Sequence, residues 1–426
     1  MSHATPNAAK QPDATRGAFT IRNVKIFDGR AMLNADRVTC SDGVITAVDG
    51  PDVAEAQVVD GKGGTLLPGL IDAHVHPNEQ GLQQAVAFGV TTVIEMGGPP
   101  RTTADWARIA ADDSKSDVFS AGVPLTAVCG HPNQLLVSAE QLFHSDGTAR
   151  PEGQRIPGLA DTADPAGFVV RRIREGSDFI KLLSEEGTVL AAPGLPELAE
   201  GVFAAAVEEA HRHDMLVVAH ALTYEKTLEM LRVGAQGLTH IFVDRPHTDA
   251  IVDEMVRAGV FVIPCLVLNR SITGTAANDL ASDPRVASRL SDVWLAALNR
   301  PFGTWPSGDF ESSVGAVAAL HRAGVPILAG TDTAVAEAAH GGLAMGASLH
   351  HELQMLVRAG LSPVEALSAA TSVPAACFGL RDRGLVRPGY RADLLLVDGD
   401  PATDIAATLS ISAVWRRGVK LTLTAC

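Results

Sequence analysis

The chain has 426 residues, of which 46% are hydrophobic and 19% are charged, so it can form a large core and is not a mainly disordered chain. Its formal net charge of -15 opposes the basic surface that binding to nucleic acid requires. Apolar runs stay shorter than the roughly 20 residues that cross a bilayer, and the scattered cysteines favour a reducing compartment, so we expect a cytoplasmic protein without membrane or nucleic-acid partners.

Both ends of the chain have a β-type pattern. The first segment, residues 1–17, is polar, lacks the apolar stretch of a secretory signal, and is predicted to be a flexible arm. Residues 18–67 then alternate short apolar runs with turns, among which Asp42-Gly43 predicts a hairpin. Because residues 381–426 repeat this pattern, the two ends are predicted to form one small β-sandwich domain.

The central segment, residues 68–380, alternates short apolar runs with helical stretches, which predicts parallel βα units and an α/β fold. Eight strand candidates are found at residues 70–76, 90–96, 118–128, 178–183, 216–221, 237–242, 261–267 and 326–331. Eight parallel strands favour a closed (β/α)8 TIM-like barrel, in which functional residues gather at the C-terminal ends of the strands. An open doubly wound sheet is the alternative.

Local signals add detail to this pattern. Ser362-Pro363 followed by Glu365 predicts a helix start, because the serine can cap the helix and the glutamate can complete a capping box. Two long segments, residues 131–166 and 268–324, interrupt the regular alternation. Insertions of this length are predicted to be functional or disordered loops.

His74 and His76 lie two residues apart at the end of the first central strand candidate. Side chains at this spacing point to the same side of an extended strand. Neutral imidazole nitrogens are good metal ligands, and one rigid strand that carries two of them is already largely ordered for binding. The pair therefore predicts part of a metal site.

Four later strand candidates carry an ionisable residue at or near their C-terminal ends. These residues are Lys181, His220, His240 and Asp332. Each has a structural alternative, since a histidine can be a hydrogen-bonded core residue and an aspartate can cap a helix. Lys181 is harder to explain in this way, because its apolar neighbours would remove hydration from the ammonium group. Together with His74 and His76, these residues indicate a metal site.

The segments that carry these residues resemble motifs of the amidohydrolase superfamily, in particular its imidazolonepropionase-like and Xaa-Pro dipeptidase-like branch. Residues 68–76, which read Pro-Gly-Leu-Ile-Asp-Ala-His-Val-His, resemble the opening metal motif, and residues 328–332 resemble the closing one. Further matches are residues 178–181, 219–221, 237–240 and 389–394. The resemblance covers nearly the whole chain and implies the barrel with its small terminal β-domain.

The resemblance also implies a binuclear centre of two divalent metal ions, with zinc favoured and manganese, cobalt or iron as alternatives. Its ligands would be His74, His76, Lys181, His220, His240 and Asp332. Lys181 would take up carbon dioxide and bridge the ions as a carbamate, because two cations would stabilise the negative charge. The ions would then lower the pKa of a shared water toward about 7 and supply hydroxide.

Asp332 is also predicted to shuttle the proton to the leaving nitrogen. Three further residues, His131, Tyr224 and His340, are candidates for contacting the substrate. His131 follows the third strand candidate and is predicted to donate to the oxyanion and contact the substrate, with a local hydrogen bond as the alternative. Tyr224 and His340 are predicted to bind substrate, and packing or a solvated rim is the alternative for each.

These observations predict a hydrolase that cleaves the amide bond of a small molecule, an N-acyl amino acid or a dipeptide-like substrate. The alternatives are a single-metal cyclic amidohydrolase or deaminase, or a hydrolase of carbamates or lactones on the same scaffold. A catalytically silent assembly protein is the alternative outside enzymes. Relatives often associate, so a homo-oligomer is expected.

Overall fold

A computed structural model of the chain describes residues 17–50, 56–99, 102–135, 164–336 and 341–422. Nearly all of the predicted N-terminal arm and most of the predicted loop at residues 131–166 lie outside these ranges. Within them, no helix combines the length and the apolar character that a membrane span needs.

Strands and helices alternate in the middle of the described chain, over residues 70–272, and mainly strands precede this region. The strands are β1 (Phe19–Arg22), β2 (Lys25–Phe27), β3 (Met32–Leu33), β4 (Arg37–Ser41), β5 (Val44–Val48), β6 (Gln57–Asp60), β7 (Thr65–Pro68), β8 (Leu70–Val75), β9 (Val90–Glu95), β10 (Asp117–Ser120), β11 (Ile180–Leu183), β12 (Val217–His220), β13 (Gly237–Thr239), β14 (Phe261–Ile263), β15 (Leu394–Val397), β16 (Ile411–Arg416) and β17 (Val419–Lys420). The helices are α1 (Glu79–Ala87), α2 (Thr103–Ala111), α3 (Pro165–Arg174), α4 (Glu200–Arg212), α5 (Tyr224–Arg232), α6 (Asp249–Ala258), α7 (Leu266–Ile272), α8 (Asn278–Ser282), α9 (Pro284–Ala287), α10 (Asp292–Leu298), α11 (Phe310–Arg322), α12 (Ala347–Arg358), α13 (Pro363–Ala369) and α14 (Ser372–Cys377).

Strands from the two ends of the chain share one sheet. Its order is β17-β16-β15-β7-β2-β3, while β5-β4-β1-β6 form a second sheet. Strand β7 pairs antiparallel with β15, with Leu67 opposite Leu395. The predicted hairpin is confirmed, since β4 and β5 pair antiparallel around Asp42-Gly43. The shared sheet supports a terminal β-domain, whose boundaries stay a prediction.

The central strands are parallel and form two sheets, β10-β9-β8 and β11-β12-β13-β14. Backbone hydrogen bonds also connect strands of these sheets to segments that lie outside them. Leu125 N donates to Lys181 O at 2.8 Å, Leu328 N to Val262 O at 2.9 Å, and Ala73 N to Ala329 O at 2.9 Å. The predicted α/β fold is therefore confirmed, and the C-terminal ends of these strands lie near one another.

Two of the predicted strands are less regular than expected. The candidate at residues 118–128 ends as a strand at Ser120, because the chain turns at Gly122, where φ is 64°. The candidate at residues 326–331 does not form a regular strand, although Ile327 makes an isolated parallel bridge with Val262. Both segments still run parallel to the strands beside them.

The predicted loop at residues 268–324 is instead largely helical. Helices α8 to α10 lie within it, α11 closes it, and α7 begins just before it, at Leu266. The preceding strand β14 is shorter than predicted because Cys265 adopts a φ of 50° and turns the chain into α7. The predicted capping box of Ser362 and Glu365 is confirmed, but its helix, α13, ends at Ala369 and a separate helix follows.

A buried ionic network connects the terminal sheet to the central strands. Arg416 Nη1 donates to both carboxylate oxygens of Asp393 at 3.1 Å, and both side chains are at most 2% exposed. Arg391 lies 2.8 Å from Asp393 and 2.6 Å from Asp117, which Arg383 also contacts at 2.7 Å. Burial opposes the charge of Asp393, but the neighbouring arginines outweigh burial and lower its pKa.

Removal of this charge is expected to destabilise the fold. In Asp393→Asn the buried Arg416 loses its anionic partner, and the free energy of unfolding should fall by about 3–5 kcal/mol. The matched control is Glu200→Gln, which removes an exposed partner of Arg232 and should cost at most about 1 kcal/mol. Urea unfolding followed by tryptophan fluorescence measures both, and equal losses would contradict the assignment.

Candidate metal centre

The predicted ligands converge at the C-terminal ends of the central strands. His74 lies on β8, Lys181 on β11 and His220 at the end of β12, while His240 follows β13. All but His240 line one cavity of about 280 Å³ together with Asp332, and His240 lies directly behind it in contact with His220. Residues that are far apart in sequence therefore share one site.

The first group of donors consists of His74, His76 and Asp332. Asp332 Oδ1 lies 2.9 Å from His74 Nε2 and 3.0 Å from His76 Nε2, and the two nitrogens are 3.3 Å apart. Metal–nitrogen bonds of about 2.0–2.1 Å separate two ligands of one ion by about 2.9–3.4 Å. The spacing of these three atoms therefore fits a single divalent ion.

The second group consists of His220 and His240. His240 Nε2 lies 3.0 Å from His220 Nδ1 and 3.8 Å from Asp332 Oδ2. Asp332 thus directs one carboxylate oxygen toward each group. His240 and Asp332 have φ angles of 66° and 60°, a conformation that is strained for side chains with a Cβ and that is frequent at functional sites.

Lys181 is 1% exposed. Its strand, β11, comes after β8, which carries His74, and directly before β12, which carries His220. Its ammonium nitrogen makes a short hydrogen bond to Thr239 Oγ1. Burial lowers the pKa of Lys181 to about 7, although the charge of Asp332 acts in the opposite direction. A substantial fraction of this side chain is therefore a neutral amine near neutral pH, the form that can react with carbon dioxide.

The protonation states of His74, His220 and Asp332 also suit a cation, whereas burial opposes the charge of His76 but interaction with Asp332 outweighs it and raises the pKa of that ring. Burial lowers the pKa of His74 and of His220 to about 3, so both rings are neutral at pH 7. Burial opposes the charge of Asp332, but the nearby histidines outweigh this effect and hold its pKa well below the usual range. Neutral imidazoles and an ionised carboxylate, largely removed from water, are the donor set that a divalent metal ion requires.

Two further residues contact the predicted ligands. Glu185 Oε2 accepts a hydrogen bond from His220 Nε2 at 3.1 Å, and this carboxylate is almost fully buried. Cys265 Sγ lies 3.5 Å from His74 Nδ1. The donor atoms of Cys265, His74 and His240 are also close enough to one another to hold an ion. Both follow a central strand by two residues, which is the signal that could have identified them.

The predicted substrate-contacting residues have different positions. The His131 ring stacks on His220 with centroids 4.8 Å apart and lines the cavity. The Tyr224 hydroxyl instead pairs with Thr248 Oγ1 at 2.7 Å, and Tyr224 is not among the described residues that line the cavity. The prediction for Tyr224 therefore gains no support from the geometry. His340 lies outside the described residues.

Comparison with known sequences gives a consistent family match. The model of the amidohydrolase family matches residues 65–421. An uncharacterized protein of Mycobacterium tuberculosis is 28% identical over 354 residues, which are 80% of each chain. Ochratoxinase of Aspergillus niger is 25% identical over 393 residues, which are 83% of this chain and 75% of that protein.

Solved structures share the fold. The crystal structure of A. niger ochratoxinase superposes with a TM-score of 0.69 at 22% identity and covers 96% of each chain. A Xaa-Pro dipeptidase with bound methionine in its active site superposes with a TM-score of 0.72 at 19% identity and covers 95% of this chain and 100% of that chain.

The contact between Glu185 and His220 predicts a measurable effect on metal affinity. The carboxylate fixes the ring so that Nε2 carries the proton and Nδ1 is free to bind an ion. Glu185→Gln should weaken zinc binding by about 10–100-fold in competition with a chelator. Glu186→Gln, which changes the neighbouring and less buried side chain, should bind zinc like the unmodified protein. Unchanged affinity in Glu185→Gln would refute this role.

Proposed function

The chain belongs to the amidohydrolase family and is a hydrolytic enzyme acting on carbon–nitrogen bonds, and we propose that it cleaves an amide bond of a small molecule with bound divalent metal ions. The convergence of His74, His76, His220, Lys181 and Asp332 on one cavity, with His240 in contact with His220, carries this proposal. The names of two structural relatives, ochratoxinase and Xaa-Pro dipeptidase, agree with hydrolytic chemistry. We propose zinc as the resident ion.

We also propose that the central strands close into one (β/α)8 barrel. The two parallel sheets lack a regular ladder between them, but isolated parallel bridges link Leu125 to Leu182, Val262 to Ile327 and Val75 to Thr333, which supports closure. Closure would place all six predicted ligands at one rim, where the active sites of such barrels lie.

The predicted ligands have different roles at this site. His74, His76 and Asp332 would hold one ion, and His220 and His240 would hold the other. When bound, the ions supply Lewis acidity, which makes water a better nucleophile at neutral pH and polarises a carbonyl group. The neutral Lys181 amine would attack carbon dioxide, forming a nitrogen–carbon bond and releasing a proton, and the resulting carbamate would bridge the two groups.

Asp332 is the residue we assign to proton transfer. One of its oxygens lies toward His74 and His76 and the other toward His240, so it stands at the centre of both donor groups. It is ionised at neutral pH and can accept a proton from the attacking water. From this position the proton would pass to the leaving nitrogen. His131, on the cavity wall, would donate a hydrogen bond to the carbonyl oxygen.

Asp332→Asn tests the proton-transfer role. Asparagine keeps the size of the side chain but cannot accept the proton, so kcat should fall by about 10²–10⁴-fold while KM changes little. The measurement uses protein whose metal content has been confirmed by elemental analysis, because Asp332 is also a predicted ligand. Asp249→Asn, at the exposed start of α6, is the control. Full turnover in metal-loaded Asp332→Asn would exclude the assignment.

Lys181→Ala distinguishes a two-metal from a single-metal site. The group of His74, His76 and Asp332 is complete without Lys181, so a single-ion enzyme should bind one equivalent in both proteins. A bridged centre should bind about two ions per chain with bicarbonate present and fewer after the substitution. Lys226→Ala, which alters a lysine paired with Glu197 and Glu229, should leave the count unchanged.

A further inference from the structure

Apolar side chains form most of the wall of the cavity above the candidate metal centre. They come from different parts of the chain and include Met96, Leu190, Leu222, Leu268, Ile272 and Phe302. Most of them belong to one buried hydrophobic cluster or pack against it, so the wall is continuous with the core of the protein. Burial of an apolar group of a ligand against such a wall is energetically favourable.

Positive charge is scarce among the described residues of this wall. Among the described residues that line the cavity, Lys181 is the only lysine or arginine, and it is already a predicted metal ligand. Apart from His131 and the predicted ligands, the only polar side chain in this described lining is Thr304. The Thr304 hydroxyl is buried and has no hydrogen-bond partner in the described part of the chain.

A carboxylate on the substrate would therefore be poorly accommodated. Transfer of an anion from water to an apolar wall is costly unless a cation or several donors compensate it. An uncharged group of the same shape would lose no charge solvation and would gain the apolar contact.

We propose that the substrate is an uncharged amide, with a compact apolar or aromatic group against this wall and no carboxylate beside the scissile bond. The inference rests on the proposed function and narrows it, because it selects against N-acyl amino acids and dipeptides. The volume of about 280 Å³ is at the small end of ligand pockets, which commonly measure about 300–1,000 Å³, and suits one such group.

Matched substrate pairs test the proposal on the full chain, reconstituted with zinc or manganese and bicarbonate. One pair is N-phenylacetylpyrrolidine and N-phenylacetylproline, and the other is acetanilide and 4-acetamidobenzoate. The members of each pair differ only by a carboxylate. We expect kcat/KM to be higher for the neutral member by about 100-fold or more, because the unpaired charge weakens binding and the transition state alike.

A gain-of-charge variant provides a second measurement. Leu190 is only partly buried, so Leu190→Arg should fold, and its guanidinium would offer a carboxylate a partner. We expect the preference for neutral substrates to narrow by about 10-fold or more. Leu195→Arg changes a leucine in the same loop that is not among the described lining residues, and it should keep the original preference.

The outcomes separate this inference from the proposed function. Hydrolysis with equal or better use of the carboxylate members would overturn the inference and leave the hydrolase intact. An unchanged preference in Leu190→Arg would also overturn it, since the charge of the wall would then not control selection. Failure of the metal-loaded enzyme to hydrolyse any of the four compounds would overturn the proposed function, and the inference with it.

Discussion

The Asp332 carboxylate, enclosed by imidazole nitrogens, is the interaction on which the site depends. One of its oxygens lies about equally far from His74 on strand β8 and from His76, the residue directly after that strand. Burial of this anion is costly, and hydrogen bonds from the rings offset that cost only in part. A cation is the partner that would offset this cost, so the same geometry that opposes stability favours metal binding.

Other buried carboxylates hold this arrangement in place through the backbone. Asp72 accepts hydrogen bonds from Thr331 N at 3.1 Å, from Thr331 Oγ1 at 2.8 Å and from His74 N at 3.2 Å. It thereby ties the strand that carries the paired histidines to the residue before Asp332. Glu352 accepts from two backbone nitrogens at the start of α7, at 3.0 and 2.9 Å, directly after Cys265. Burial raises the pKa of Asp72 to about 7 and that of Glu352 to about 8.

The sequence was most informative where a residue type conflicts with its surroundings. A lysine between apolar neighbours and two histidines at a spacing of two needed an explanation that packing alone does not give, and the structure brings these residues to one cavity. Glu185 was missed because a pair of glutamates after a strand has the composition of a solvated turn, and only the fold shows that one of them is buried against His220.

Tyr224 had a plausible spacing, but its hydroxyl lies against Thr248 because it begins α5. Helices α8 to α10 are short, so their periodicity was too brief to distinguish them from a loop.

The apolar wall and the charged floor of the cavity also depend on each other. Charges interact more strongly where water is excluded, so the leucines and phenylalanine of the wall increase the effect of every charged group on the floor. The same exclusion of water makes an unpaired charge on a ligand expensive. A site built in this way obtains reactivity and selectivity from one physical cause: low polarity strengthens the chemistry of the metal centre and restricts the ligands that can reach it.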